Sequence, residues 1–397
     1  MKPYNRLTHW LESHWVNPAY GGWLMAGLAL FFFGAATNTM AGWLYVISGV
    51  IVAILALAAV LPVQTLRGVR LQRSPINPVS VGEQLRLELK IENLTQQPKT
   101  LLQIQEDLPD PFPVIRTAIE QIPPQGNYLW TATLPTHQRG IYRWQTVQVR
   151  TAAPLGLFWC CRPQVVPAKA VVYPTVLKLS QCPIVDEMGQ NPHLQVSSHY
   201  QSKLATEGVT RTLRPYRWGD STRFIHWRSS ARYGELRVRE LETYTGGQEL
   251  VIGLDSAIAW DRNCFEQAVI AAASLYFYGL HHQLNVSLWT AGSDRIRGDQ
   301  RVLETLAGIQ PHETQIADRP RSSLLWLTQT SVGLATLPAG SRWLLWRSIS
   351  ALNPSENSVS ALPGLWIQPD RPLQIQLQQS LTNAAGAADS VSTRQPR

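Results

Sequence analysis

From Ser13 to Leu66, 54 consecutive residues contain no Asp, Glu, Lys or Arg. As one helix this run would be roughly 80 Å long at 1.5 Å per residue, far more than the ~30 Å hydrocarbon core of a bilayer. A break is available at Gly34-Ala-Ala-Thr-Asn-Thr-Met40. The run therefore predicts two transmembrane helices, about Tyr20–Ala36 and Ala41–Leu61, joined by a short uncharged turn. Tyr20 and Trp23 fall at one interface, and Trp43 and Tyr45 near the other. Basic residues flank the pair on its outer sides, Lys2 and Arg6 before it and Arg67, Arg70 and Arg73 after it. The excess of basic residues on cytoplasmic flanks then places both ends in the cytoplasm, as a multi-pass protein of the inner (plasma) membrane. A cleaved signal peptide ending near Ala36 is the rival reading, disfavoured because a second full-length span begins almost at once.

The net charge of +8 is concentrated. Outside residues 1–73 and 211–242, 22 basic residues face 22 acidic ones. The basic balance thus describes a membrane flank and one arginine cluster, which argues against a nucleic-acid-binding surface. Cys160, Cys161, Cys182 and Cys264 have neither metal-ligand spacing nor a disulfide pattern, and read as buried reduced thiols.

Beyond the membrane run, residues 62–80 read as a linker. Residues 81–180 read as a β-sandwich of immunoglobulin-like type. Leu85, Leu87, Leu89 and Ile91 alternate with Arg86, Glu88, Lys90 and Glu92, a period of two. Residues 181–210 read as a loop, part of a segment 181–248 that carries the signature below. From Glu249 to about 370, apolar runs alternate with helical patterns, as in an open, largely parallel α/β sheet. Asn263 and Glu266 have the spacing of a capping box for the first helix. The tail, residues 371–397, reads as disordered.

The densest feature is Arg211–Glu242, RTLRPYRWGDSTRFIHWRSSARYGELRVRELE. It holds eight arginines, no lysine and four acids. Arginine is favoured where a planar fork grips a carboxylate or stacks on a ring. The segment predicts a turn, a short helix over Arg223–Ala231, a second turn, and a strand from Glu235. Asp220, Glu235, Glu240 and Glu242 could pair with Arg214, Arg223, Arg232 and Arg239 and cement the segment. Equally, surplus arginines beside exposed tryptophans would form a protein-binding hot spot.

The stretch resembles the signature of the bacterial domain-of-unknown-function family fifty-eight. The matching positions are Arg214, Tyr216, Gly219, Asp220, Arg223, Ile225, Trp227, Ser230, Ala231, Arg232, Leu236, Val238, Arg239 and Glu240. The resemblance implies an association with an AAA+ ATPase of the MoxR type, and a role in assembling or maturing another protein or complex. The C-terminal domain resembles a von Willebrand A domain, whose Asp-x-Ser-x-Ser loop binds a divalent ion. Here that loop holds Asp255, Ala257 and Ala259, so two hydroxyl ligands are missing and the site is degenerate. No cofactor is expected. His226 stands inside the signature with no partner visible in sequence, and reads as a packing residue. The expectation is a non-enzymatic, membrane-anchored interaction protein. The alternative is a hydrolase using Asp220, His226 and Asp255.

Overall fold

The structure is a computed structural model that describes residues 15–189, 203–216, 225–243, 249–346 and 362–379. The chain divides into two units, Met1–Tyr173 and Pro174–Arg397.

In the first unit, helices α1 (Tyr20–Thr39) and α2 (Gly42–Leu66) follow a two-residue strand β1 (Asn17–Pro18). Both helices are long and apolar enough to cross a membrane. They run antiparallel through the tight turn Met40-Ala41, where Met40 adopts a left-handed conformation. Ala29 and Ala36 are buried between the helices, and the Ser48 hydroxyl donates to the Ala29 carbonyl at 2.9 Å. Small residues let the two backbones approach, and the hydroxyl is satisfied where no water is at hand.

Strands β2 (Val69–Arg73), β3 (Val79–Ser80), β4 (Gln84–Asn93), β5 (Lys99–Glu106), β6 (Ile115–Ile122), β7 (Asn127–Pro135), β8 (Gly140–Thr151) and β9 (Phe158–Tyr173) follow. They form one sheet ordered β2-β4-β7 and another ordered β1-β9-β8-β5-β6, with β3 beside β9. Leu85, Leu87, Leu89 and Ile91 meet Leu102, Ile104, Val147 and Val149 in one core. The alternation of β4 is thus the inner face of a two-sheet domain.

Two boundaries of this unit differ from expectation. Residues 62–80 are not a linker. The last turn of α2 runs into the β core through Val63 and Leu66, and β2 pairs with β4 from Val69 onwards. Arg73 is consequently not a membrane-flank charge. It points inward, with a side chain 5% exposed, and pairs with the fully buried Glu106. The β domain ends at Tyr173 instead of 180, because Leu177 and Leu179 pack on the core of the second unit.

The second unit contains α3 (Pro183–Gly189), β10 (Lys203–Pro215), α4 (Trp227–Tyr233), β11 (Arg237–Thr243), β12 (Glu249–Leu254), α5 (Arg262–His281), β13 (Asn285–Thr290), β14 (Ser293–Ile296), α6 (Asp299–Gly308), β15 (Leu324–Thr328), β16 (Arg342–Trp346), β17 (Gly364–Ile367) and α7 (Leu373–Leu377). The main sheet is ordered β14-β13-β12-β15-β16-β17, parallel except for the edge strand β14. Leu250, Ile252, Leu254, Leu325, Leu327, Leu344 and Ile367 face a core shared with α3, α5, α6 and α7. The opposite face carries Trp289, Trp326 and Trp343, packed with Leu334 and Leu337 from the connection between β15 and β16.

Residues 181–210 are not all loop. Ile184, Val185 and Met188 of α3 are buried in the sheet core, and β10 pairs with β11. Nor is the whole of 371–397 a disordered tail, since Leu373 and Leu377 of α7 are buried in the same core. The cap of α5 is Asp261, whose carboxylate accepts from the Asn263 N–H at 2.9 Å, and not Asn263 itself. All four cysteines are buried. Desolvation pushes the Cys182 and Cys264 thiols up to about 12 and about 11, so neither is a ready nucleophile.

Candidate functional site

The signature folds locally around Ser230. Its hydroxyl donates to the His226 carbonyl at 3.1 Å and accepts from the Arg237 N–H at 2.9 Å, tying α4 to the start of β11. Ile225 and Val238 form an isolated antiparallel bridge, and both are buried. The Tyr216 N–H donates to the Leu236 carbonyl at 2.8 Å, while its side chain is half-buried. Gly234 ends α4 in the left-handed region at φ 71°, where any other residue would be strained. His226 is the N-cap of α4. Its Nδ1 accepts from the Ser229 N–H at 3.2 Å and lies 2.8 Å from the Ser229 hydroxyl.

These bonds form a small scaffold whose outer surface is apolar and basic. Trp227 is 66% exposed and Tyr233 58% exposed, with Leu236 also exposed. Arg228 and Arg232 are exposed beside them. Arg237 stacks over the Tyr233 ring at 4.1 Å and pairs with Glu235 at 2.7 Å. The helical spacing of Arg223 and Trp227 suggests that the indole packs into a seam against the α/β sheet. The structure corrects this, because Trp227 faces solvent. Of the four acids expected to pair, Glu235 is bonded to Arg237, and the side chains of Asp220, Glu240 and Glu242 lie outside the described residues. Arg214, Arg239 and Glu240 lie on the β10–β11 ladder opposite Val238, Leu213 and Thr212. Their side chains lie outside the described residues, as do Gly219, Asp220 and Arg223 entirely.

The second place to look is the carboxyl edge of the sheet. Asp255 follows β12 and is buried, with its Oδ2 accepting from the Thr328 hydroxyl at 3.2 Å. Burial raises its pKa against the smaller opposing effects of the Thr328 bond and the Arg319 charge. Ser256 is consumed structurally. It donates to Glu313 Oε2 at 2.8 Å and accepts from the Ala291 N–H at 3.0 Å. Glu313 also receives the Gly292 N–H at 3.3 Å and donates its own N–H to the Ser256 carbonyl at 3.0 Å. The carboxylate thus clasps the loops after β12 and β13. Sequence reading missed Glu313, which lies 57 positions from Ser256 and carries no motif. Among the described residues no group of three or more His, Cys, Asp or Glu side chains could hold a metal ion. His226 bonds Ser229 within α4, whereas Asp255 bonds Thr328 of β15, and no contact among the described residues joins the two.

Residues 212–307 match the family model described as "Protein of unknown function DUF58". No curated protein matches the chain. Among solved structures, the CARDB domain of a Pyrococcus furiosus protein is 10% identical, covering 26% of this chain and 94% of that one at a TM-score of 0.20. A beta-glucosidase from Listeria innocua in complex with glucose is 14% identical, covering 26% and 16% at 0.17. A GH20 exo beta-N-acetylglucosaminidase from Vibrio harveyi is 12% identical, covering 71% and 57% at 0.16. Scores this low carry no argument about fold or activity.

Proposed function

We propose that this chain is a non-enzymatic interaction protein, anchored by its helical hairpin in the inner membrane with both soluble units in the cytoplasm. In this reading the β domain is an immunoglobulin-like spacer. The α/β unit is a von Willebrand A-like platform with a degenerate ion site, and the signature is the docking surface for a protein partner. One observation carries the reading: Trp227, Tyr233 and Leu236 are exposed together, with Arg228 and Arg232 beside them, on a scaffold held from below by Ser230. Tryptophan, tyrosine and arginine dominate interface hot spots because they combine wide flat contact with fixed donors. The family resemblance points to an AAA+ ATPase of the MoxR type as that partner, in assembly or maturation of another protein. The separate engagements of His226 with Ser229 and of Asp255 with Thr328 favour this reading over a hydrolase built on Asp220, His226 and Asp255.

The test is co-purification from membranes with a co-expressed MoxR-type ATPase. Arg228→Gln with Arg232→Gln, and separately Trp227→Ala with Tyr233→Ala, should abolish capture while the melting temperature holds. Undiminished capture by both variants would remove the signature from the interface.

A further inference from the structure

The β domain has no tether separating it from the hairpin. Only Arg67 and Gly68 lie between α2 and β2, and β1 ends two residues before α1 starts. Both joints are fixed by backbone bonds. The Ala19 N–H donates to the Leu157 carbonyl at 2.8 Å, and the Leu94 N–H donates to the Gly68 carbonyl at 2.8 Å. The first turn of α1 lies so close to the β8–β9 loop that a Cβ on Gly22 would meet the Leu157 oxygen at 2.4 Å. One end of the β domain is therefore held at the level where the hairpin emerges.

That end is formed by the close of β4, β6 and β8 and the start of β2, β5, β7 and β9, as the antiparallel ladders require. It is also where the domain's exposed apolar side chains gather. Seven large apolar residues are exposed between Val69 and Tyr173: Leu94, Leu101, Val114, Tyr128, Leu129, Leu155 and Val165. Five of these, all but Val114 and Val165, sit at the hairpin end, in its loops or in the first three residues of its strands. Leu94 is 60%, Leu101 61% and Leu155 46% exposed. Trp15, Tyr20 and Trp23 continue the exposed apolar surface onto the start of α1, and exposed Arg67 and Arg70 flank it. A scatter of single apolar residues would need no explanation, but a set confined to one rim and continuous with two apolar helices does.

We propose that this rim is a lipid-docking surface. Leu94, Leu101 and Leu155 dip into the headgroup–acyl boundary, the aromatic residues lie level with them, and Arg67 and Arg70 meet anionic headgroups. The hairpin and the β domain then enter the bilayer surface as one body. The proposal rests on the reading of α1 and α2 as membrane spans.

The test uses the full chain reconstituted in vesicles of phosphatidylcholine and phosphatidylglycerol, with lipids brominated high or low on the acyl chains. Single cysteines replace Leu94, Leu101, Leu155, Val114 or Val50 and are labelled with bimane. The unsubstituted chain, whose four cysteines are buried, is the blank. Val50 reports the hairpin, and Val114 reports the opposite end of the domain. The expected result is quenching at Leu94, Leu101 and Leu155 by shallow bromine, about half the emission for a boundary depth of 5–10 Å. Val50 should respond to bromine placed deeper, and Val114 to neither. Quenching at Val50 with none at the three leucines would overturn the rim proposal and leave the hairpin standing. No quenching at Val50 would sink both. Rim probes that self-quench as protein density rises, without responding to bromine, would mean that a second copy covers the rim, and would also overturn the proposal.

Discussion

The ion pair between Arg73 and Glu106 offers the sharpest energetic test. Glu106 Oε1 takes both an Arg73 guanidinium N–H and the Trp144 indole N–H, and the guanidinium lies 5.5 Å over the Trp144 ring. The side chains are 5% and 0% exposed, yet Arg73 Nε, Arg73 Nη1 and Glu106 Oε2 have no partner among the described residues. Such a pair gives up much hydration for one shared oxygen. Removing only the carboxylate by Glu106→Ala strands a buried cation and leaves the indole N–H without its acceptor. The expected loss is about 3–5 kcal/mol. For a unit of this size that lowers the melting temperature by roughly 6–20 °C, at about 2–4 °C per kcal/mol. Replacing both charges together, Arg73→Met with Glu106→Gln, keeps an acceptor for the indole and should melt near wild type or above it. The assay is thermal melting of the full chain in detergent, followed by near-ultraviolet circular dichroism. If Glu106→Ala melts within about 1 kcal/mol of wild type, water reaches the pair and the burial argument fails.

Three further outcomes follow from the geometry. Reporter fusions at the N- and C-termini should both read cytoplasm, and a periplasmic signal from either would defeat the hairpin topology. Because burial raises the Asp255 pKa, the folded state holds its proton to higher pH than the unfolded chain does. Stability therefore falls as pH rises from the ordinary aspartate value through the raised one, and Asp255→Asn should melt higher than wild type at neutral pH, with the gain vanishing in acid; a neutral-pH loss would contradict the sign. Lys99 is 3% exposed and desolvation lowers its pKa, so Lys99→Met should stabilise the fold by about 0.5–2 kcal/mol and raise its melting temperature; an unchanged or lower value would show that its ammonium is well solvated.

How much of this was legible depended on whether the cause of each element lay nearby in the sequence. The hairpin needed only the uncharged run, and β4 only its strict alternation. The parallel strands β12, β13, β15 and β16 announced themselves as short apolar runs because both of their faces are buried, whereas the edge strand β17 exposes Trp366. Strand β10 was missed because its partner β11 lies beyond α4, and because Gly208 falls within it and reads locally as a turn. Arg73 was read as a membrane flank because a charge beside a membrane run resembles one. Only its pairing with Glu106, 33 residues on, turns it inward. The signature was legible as a motif, whereas its outward face was not. Spacing shows which residues share a side of α4 and says nothing about what that side meets. Glu313 shows the same limit at the sheet edge, since its role arises from three loops meeting in space.

Strand β9 also has a mechanical meaning. Its first residues pair with β1 beside the hairpin, and its last residue, Tyr173, is where the chain passes into the second unit. Over 16 residues it spans up to about 50 Å, from the rim beside the hairpin to the far end of the domain. A pull applied beyond Tyr173 and resisted at the hairpin would act along this strand. The cross-strand bonds to β8 lie perpendicular to that axis, so they would carry the load in parallel and would not open one after another. Tension between the two ends of β9 would therefore load the β8–β9 bonds together in shear.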